Sequence, residues 1–249
     1  MRAQQVGPLA QVEVHPNLEQ LAKAAADSFI EAADRAIGLY DQFNVALAGG
    51  STPRGPYRQL AKPDLAARID WGKAHVFWAD ERCVPPEHPE SNYRMAQEAF
   101  LGEVPIPQTN IHRMQGELDP LRAAEAYETT LRAHFGAVEW PPFDLVLLGM
   151  GEDGHTASLF PENRALNESE RWVVAEFVES LQAWRITLTL PAINAAKQVI
   201  FLVAGLSKAG RLREVLRRGA VATSLPARLV RPTSGRLVWL VDRAAASQL

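Results

Sequence analysis

Short apolar runs alternate along the chain with longer stretches whose apolar positions recur at helical spacing. The short runs Val12 to Val14, Phe43 to Ala48, His75 to Trp78, Phe143 to Leu148, Trp172 to Phe177, Arg185 to Thr189, Gln198 to Val203 and Leu237 to Val241 read as strands. Between them Leu18 to Ile37, Pro53 to Ala61, Asn92 to Phe100, Pro120 to Phe135 and Ser207 to Leu216 read as helices. Such alternation predicts an α/β fold, a three-layer open and mostly parallel sheet with helices on both faces. Trp172 to Phe177 and Arg185 to Thr189 are too close for a helical crossover, so these two are expected to pair antiparallel. Proline-rich stretches at Pro85 to Pro89, Pro105 to Pro107 and Pro141-Pro142 are flanked at once by periodic sequence and read as short loops. No linker, repeat or low-complexity tract interrupts residues 1–249, which are expected to form a single catalytic α/β domain.

Composition narrows the partners. The 249 residues are 47% hydrophobic and 22% charged, enough for a sizeable core. With 26 basic and 29 acidic residues the net charge is -3, so no overall field favours nucleic acid or an anionic membrane. An anionic ligand must be held by a local cluster. The single Cys83 excludes an internal disulfide and any multi-cysteine metal site. Met1 to Pro8 contains no apolar leader segment and no later stretch reaches transmembrane length, so cytoplasmic localisation is the default expectation.

Chemistry concentrates where strands run into glycine-rich loops. The run ending at Leu148 leads into Gly149-Met150-Gly151-Glu152-Asp153-Gly154-His155-Thr156-Ala157-Ser158-Leu159-Phe160-Pro161, which sets one histidine at the carboxyl end of a strand. Open α/β sheets form their ligand crevices there. Thr156 to Phe160 can begin a helix or helical turn. A second loop, Ala48-Gly49-Gly50-Ser51-Thr52-Pro53, passes from a strand into a helix start, with Ser51 or Thr52 as cap and Pro53 as first helical residue. Free backbone N–H groups and the helix dipole make Gly50, Ser51 and Thr52 candidates for a phosphate cradle, although a plain capped turn has the same pattern. The loop matches neither a Walker motif nor Gly-x-Gly-x-x-Gly, so a small phosphorylated compound suits it better than a nucleotide.

Trp78-Ala79-Asp80-Glu81-Arg82 puts charge directly after an apolar strand. Arg82 offers a planar fork for phosphate oxygens, while Asp80 or Glu81 is placed to hold Arg82 or to touch sugar hydroxyls; a solvated turn with a local ion pair fits equally. Arg185 opens another strand, and Lys208 sits at a helix start, where a cation opposes the dipole. Arg211, Arg213, Arg217 and Arg218 read as a solvated helix face. His15, His75, His88, His112 and His134 show no recognised metal-ligand spacing, so no metal or other cofactor is expected.

Taken together, Gly49-Gly50-Ser51-Thr52-Pro53, Trp78-Ala79-Asp80-Glu81-Arg82 with Ser91-Asn92-Tyr93, the Gly149 to Pro161 loop and Arg185-Ile186-Thr187 closely resemble the 6-phosphogluconolactonase family. The match spans most of the chain in order. The resemblance implies a Rossmann-like fold shared with glucosamine-6-phosphate deaminases, and hydrolysis of 6-phospho-D-glucono-1,5-lactone in the oxidative pentose phosphate pathway. In that reading His155 is the base that activates water, Asp153 orients it or positions the water, and loop N–H groups around Gly151 to Gly154 are candidates for the oxyanion site. Gly50, Ser51, Thr52, Asp80, Arg82, Arg185 and Lys208 bind the sugar phosphate, and the protein works as a monomer or small homo-oligomer.

The related deaminases are the competing expectation. They keep a glutamate five positions after the motif histidine, where this chain has Phe160, and tend to have Asp-Glu-Tyr in place of Asp80-Glu81-Arg82. Lactone opening needs one base, one water and oxyanion stabilisation, whereas aldose–ketose conversion needs several proton transfers. A non-catalytic sugar-phosphate sensor is the third reading. The sheet pattern begins by Val12, leaving no room for an N-terminal helix-turn-helix.

Overall fold

The computed structural model describes residues 10–217 and 225–249; Met1 to Pro8 and Arg218 lie outside the described residues. The strands are β1 (Gln11–His15), β2 (Phe43–Leu47), β3 (Ala74–Trp78), β4 (Asp80–Arg82), β5 (Leu145–Gly149), β6 (Val173–Val178), β7 (Ala183–Leu188), β8 (Gln198–Val203) and β9 (Arg236–Asp242). The α-helices are α1 (Leu18–Tyr40), α2 (Ser51–Leu60), α3 (Pro63–Ala66), α4 (Asn92–Ala96), α5 (Pro120–Phe135), α6 (Leu190–Asn194), α7 (Ala209–Leu216) and α8 (Pro226–Leu229).

Six strands form one sheet in the order β1-β9-β8-β5-β2-β3, and every pairing in it is parallel. Every residue of β2 and β8 is buried, as expected when helices cover both faces of a parallel sheet. The chain moves outward from β2 to β3, then returns to β5 and proceeds the other way through β8 and β9. The direction therefore reverses between β2 and β5. Loops leaving these neighbouring strands diverge and leave a crevice at their carboxyl ends.

The expected antiparallel pair is present, with Val173 opposite Leu188 and Val178 opposite Ala183. It does not join the main sheet, however. It forms a separate three-stranded sheet, order β4-β7-β6, with a strand that sequence periodicity misses. Asp80-Glu81-Arg82 reads as a charged turn, yet it is extended and paired with β7, because the chain crosses from one sheet to the other at Ala79. The Ala79 N–H donates to the Leu47 carbonyl of the main sheet, and its carbonyl accepts from Leu188 N–H of the small one.

Helix boundaries follow local capping. Asn17 caps α1 by accepting from Gln20 N–H at 3.0 Å. α1 runs past the expected stop at Ile37 and through Gly38, ending at Asp41, whose left-handed backbone (φ 58°) lets its N–H return to the Ile37 carbonyl. Asp119 caps α5 in the same way, with Pro120 at its first position. α4 covers only the first half of its predicted span and continues as a π-helical turn over Gln97–Leu101. Among the described residues no helix is long and apolar enough to cross a membrane.

Two buried tyrosines close strand ends beside the crevice. The Tyr57 hydroxyl of α2 donates to the Ala48 carbonyl at 2.9 Å and accepts from its N–H at 3.1 Å. The Tyr127 hydroxyl of α5 does the same for Trp78, at 3.1 Å and 2.9 Å. Both phenols are fully buried, which raises their pKa and keeps the O–H proton in place. The backbone groups they satisfy lie where each strand leaves its ladder and would otherwise be buried without partners. Tyr127→Phe is therefore expected to destabilise the protein by about 1–3 kcal/mol, the cost of orphaning a buried donor and acceptor, with an unchanged denaturant m-value. Chemical denaturation checks this; an unchanged midpoint would mean that water replaces the hydroxyl.

Candidate active site

The crevice at the β2–β5 reversal is lined by Gly49, Gly50, Ser51, Thr52, Asp80, Arg82, Asn92, Met150, Gly151, His155, Ala157 and Lys208, among others. Loops after β2, β3, β5 and β8 all contribute. Sequence reasoning therefore brings His155, Gly50, Ser51, Thr52, Asp80, Arg82 and Lys208 to one place. Asp153 joins them through His155, and Arg185, opposite Arg82 on the neighbouring strand, is not among the lining residues.

The loop after β5 is folded on itself. Gly151 N–H donates to the His155 carbonyl at 2.9 Å, and Gly154 N–H to the Gly151 carbonyl at 3.1 Å. Those two N–H groups are spent inside the loop, which removes them from the expected oxyanion donors. Gly154 has φ 87°, and a Cβ at Gly151 would lie 2.1 Å from His155 Nδ1, so both positions require glycine. The segment from Thr156 is not a helix start. Thr156 and Leu159 form a two-bond bridge around a turn with Ala157 at φ 48°, and Thr156 Oγ1 donates to the Gly149 carbonyl at 2.8 Å.

His155 Nδ1 lies 2.6 Å from Asp153 Oδ1, and the His155 N–H donates to the same oxygen at 3.1 Å. Burial opposes ionisation of Asp153, but these hydrogen bonds from His155 outweigh it and lower its pKa. A carboxylate only accepts, so in the neutral ring this contact places the proton on Nδ1 and the lone pair on Nε2. Phe160 stacks on the imidazole, with centroids 4.2 Å apart.

Two buried carboxylates assemble the walls. Asp80 accepts from Ser158 Oγ at 2.7 Å, which ties the His155 loop to the sheet junction. Glu81 accepts from Asn92 N–H at 2.7 Å, Tyr93 N–H at 2.8 Å and Ser91 Oγ at 3.2 Å, binding the start of α4. Neither carboxylate holds the Arg82 guanidinium, contrary to one of the expected arrangements; that guanidinium donates to the Glu90 carbonyl. Asn92 is a wall residue that sequence reasoning gave no role. Its Nδ2 donates to the Asp80 carbonyl at 2.9 Å, and a Cβ at Gly49 would lie 1.9 Å from its Oδ1. Arg211, on the helix face read as solvated, also reaches back with its Nε to the Glu152 carbonyl at 3.2 Å.

The anion-binding features are stronger than expected at two points. α2 begins at Ser51 rather than Pro53, after Gly50 at φ 94°, and no side chain caps it. Ser51 and Thr52 thus keep their hydroxyls and first-turn N–H groups for a ligand instead of capping the helix. Arg82 and Arg185 stand directly opposite each other on β4 and β7. Like charges in that register repel, and among the described residues neither has a carboxylate within ion-pair distance. Burial first, then Arg82, lowers the Arg185 pKa. Lys208 has one distant acid, Glu152 Oε1 at 4.0 Å.

The model of the family described as glucosamine-6-phosphate isomerases/6-phosphogluconolactonase matches residues 16–239. The chain belongs to this family. It is 42% identical over 241 residues to a Nostoc sp. protein named 6-phosphogluconolactonase, covering 96% of this chain and 98% of that one. A Haemophilus influenzae 6-phosphogluconolactonase is 39% identical over 215 residues, 85% of this chain and 91% of that one. The solved 6-phosphogluconolactonase from Trypanosoma brucei superposes with a TM-score of 0.86 at 30% identity, covering 96% of this chain and 98% of that one. A monomeric glucosamine-6-phosphate deaminase shares the fold at 23% identity, with a TM-score of 0.79.

Removing one of the opposed arginines separates fold from ligand. Arg185→Gln is expected to stabilise the ligand-free protein by about 0.2–1 kcal/mol through relief of repulsion. The same variant should lose much of the stabilisation that inorganic phosphate confers on the native chain. Thermal melts with and without phosphate check both; undiminished phosphate stabilisation in the variant would remove Arg185 from the anion site.

Proposed function

We propose that the chain hydrolyses 6-phospho-D-glucono-1,5-lactone to 6-phospho-D-gluconate, the lactone-opening step of the oxidative pentose phosphate pathway. The observation that carries this reading is the Asp153–His155 pair, which leaves Nε2 of a crevice histidine as a proton acceptor. Nε2 takes a proton from water as the water oxygen attacks the lactone carbonyl carbon. The tetrahedral adduct then collapses, the bond from that carbon to the ring oxygen breaks, and the imidazolium returns the proton to the departing oxygen. Asp153 holds the reactive tautomer and balances the transient positive charge. Phosphate binding by Arg82, Lys208, Ser51, Thr52 and the open N-terminus of α2, with Arg185 adding charge from the neighbouring strand, fixes the far end of the substrate. Asp80 shapes the crevice through Ser158 and faces the sugar.

Phe160 favours this reaction over deamination. It occupies the position where deaminases keep a glutamate, and its ring stacks at 28° against the imidazole without a proton to exchange. Residues from both sheets build the crevice, which supports one catalytic unit. Cytoplasmic operation as a monomer or small homo-oligomer fits a chain whose one cysteine is free.

His155→Ala is expected to lower kcat for freshly generated lactone about 10²–10⁴-fold after correction for spontaneous hydrolysis. Lys208→Gln should mainly raise KM, because phosphate is held alike in ground and transition states. Glucosamine-6-phosphate should not be turned over. Full activity of His155→Ala, or faster turnover of glucosamine-6-phosphate, would overturn the assignment.

A further inference from the structure

At the end of the sheet opposite the crevice, three histidines from distant parts of the chain meet. His75 is the second residue of the edge strand β3, His112 directly follows the contact of Ile111 with Val76, and His134 lies in the last turn of α5. Sequence spacing offered no ligand pattern, since the chain separations are long and irregular. In space, one nitrogen from each ring lies within 4.8 Å of the others, and among the described residues no other trio of histidine, cysteine or acidic ligands meets this closeness. His75 Nδ1 and His112 Nε2 are 3.1 Å apart. Two nitrogens on a tetrahedral zinc, each about 2.0–2.1 Å from the ion, stand roughly 3.3 Å apart.

The surroundings suit ligation. All three rings are half-buried, and Phe77 stacks on His112 with centroids 4.4 Å apart. Burial, and then repulsion from the neighbouring rings, holds His112 and His134 down to about 4, so their lone pairs are not lost to protons at neutral pH. Asn44 Oδ1, 2.7 Å from His134 Nε2, orients that ring as outer-shell partners of metal-bound histidines do. Among the described residues none of the three forms an ion pair with a carboxylate. A neutral all-imidazole set selects zinc-class ions over magnesium or calcium.

We propose that His75, His112 and His134 form a binding site for a divalent transition-metal ion of the zinc class. The bound ion ties the edge strand β3 and the segment beside it to the end of α5, a structural role remote from the crevice. Solvent or a neighbouring amide completes its coordination.

The test uses tag-free full-length protein stripped with chelator and then titrated with Zn²⁺ by calorimetry, and with Co²⁺ followed by visible absorption. The expected result is one Zn²⁺ per chain, a raised thermal midpoint and intense Co²⁺ bands typical of nitrogen ligation in low coordination. His112→Phe and His134→Gln should each weaken Zn²⁺ binding at least tenfold, while His88→Ala and His155→Ala should leave it unchanged. His134→Gln keeps the test open if His112→Phe fails to fold. Absence of binding to the native chain, or binding undiminished in His134→Gln, overturns the site and leaves a neutral stack of histidines joined by hydrogen bonds.

Discussion

Two carboxylates buried at the junction of the two sheets fix the His155 loop and the start of α4 around the crevice. Asp80 and Glu81 are 8% and 2% exposed, and among the described residues neither has a cationic partner within ion-pair distance. A buried carboxylate without donors costs several kcal/mol, on the order of what a whole domain has to spare. Neutral donors must therefore be supplied, and they come from the parts of the chain that need fixing. Ser158 Oγ brings the His155 loop to Asp80, and the Asn92 and Tyr93 N–H groups bring α4 to Glu81. Loss of either set would leave a buried carboxyl group short of donors, so loop position and fold stability are coupled.

That coupling explains what was legible beforehand. Strands such as Gln198–Val203 and helices such as Pro120–Phe135 were readable because burial of apolar side chains decides them locally. β4 was not, since three consecutive charged residues carry no apolar signal and their extended form depends on hydrogen bonds from β7 and α4. The cap of α2 was misplaced for a related reason. Ser51 and Thr52 have the chemistry of caps, but Gly50 reaches a conformation closed to them and takes the cap position itself. Most residues of the candidate site were visible as strand-end motifs. Asn92 was not, because its contribution lies in a contact with distant backbone that no local pattern encodes.

The opposed Arg82 and Arg185 mark the other cost built into the site. Cross-strand repulsion and partial burial of a guanidinium both oppose folding, and an apolar or acidic partner at either position would remove the penalty. Such a local conflict is expected where a ligand supplies the missing charge. The open N-terminus of α2 points to the same economy, with first-turn N–H groups left without a side-chain partner beside a cationic pair. A doubly charged phosphate would offset the Arg82–Arg185 repulsion, whereas a neutral ligand leaves that repulsion in place.

His155, the proposed base, faces the opposite demand, for position rather than charge. Gly154 in its positive-φ turn, the Thr156–Leu159 bridge and the Ser158–Asp80 bond hold the His155 backbone from both sides, and Phe160 closes one face of the ring. Little rotational freedom remains to the imidazole, and with Nδ1 committed to Asp153 only Nε2 can exchange a proton with a ligand. Lactone opening tolerates that restriction because one proton leaves water and returns to the ring oxygen within a small angular range. Moving protons between separate carbons and a ring oxygen does not, since it requires acceptors on more than one side of the sugar. A loop tied at these points, with an aromatic ring against its one imidazole, therefore suits the proposed lactone opening better than a reaction with several proton transfers.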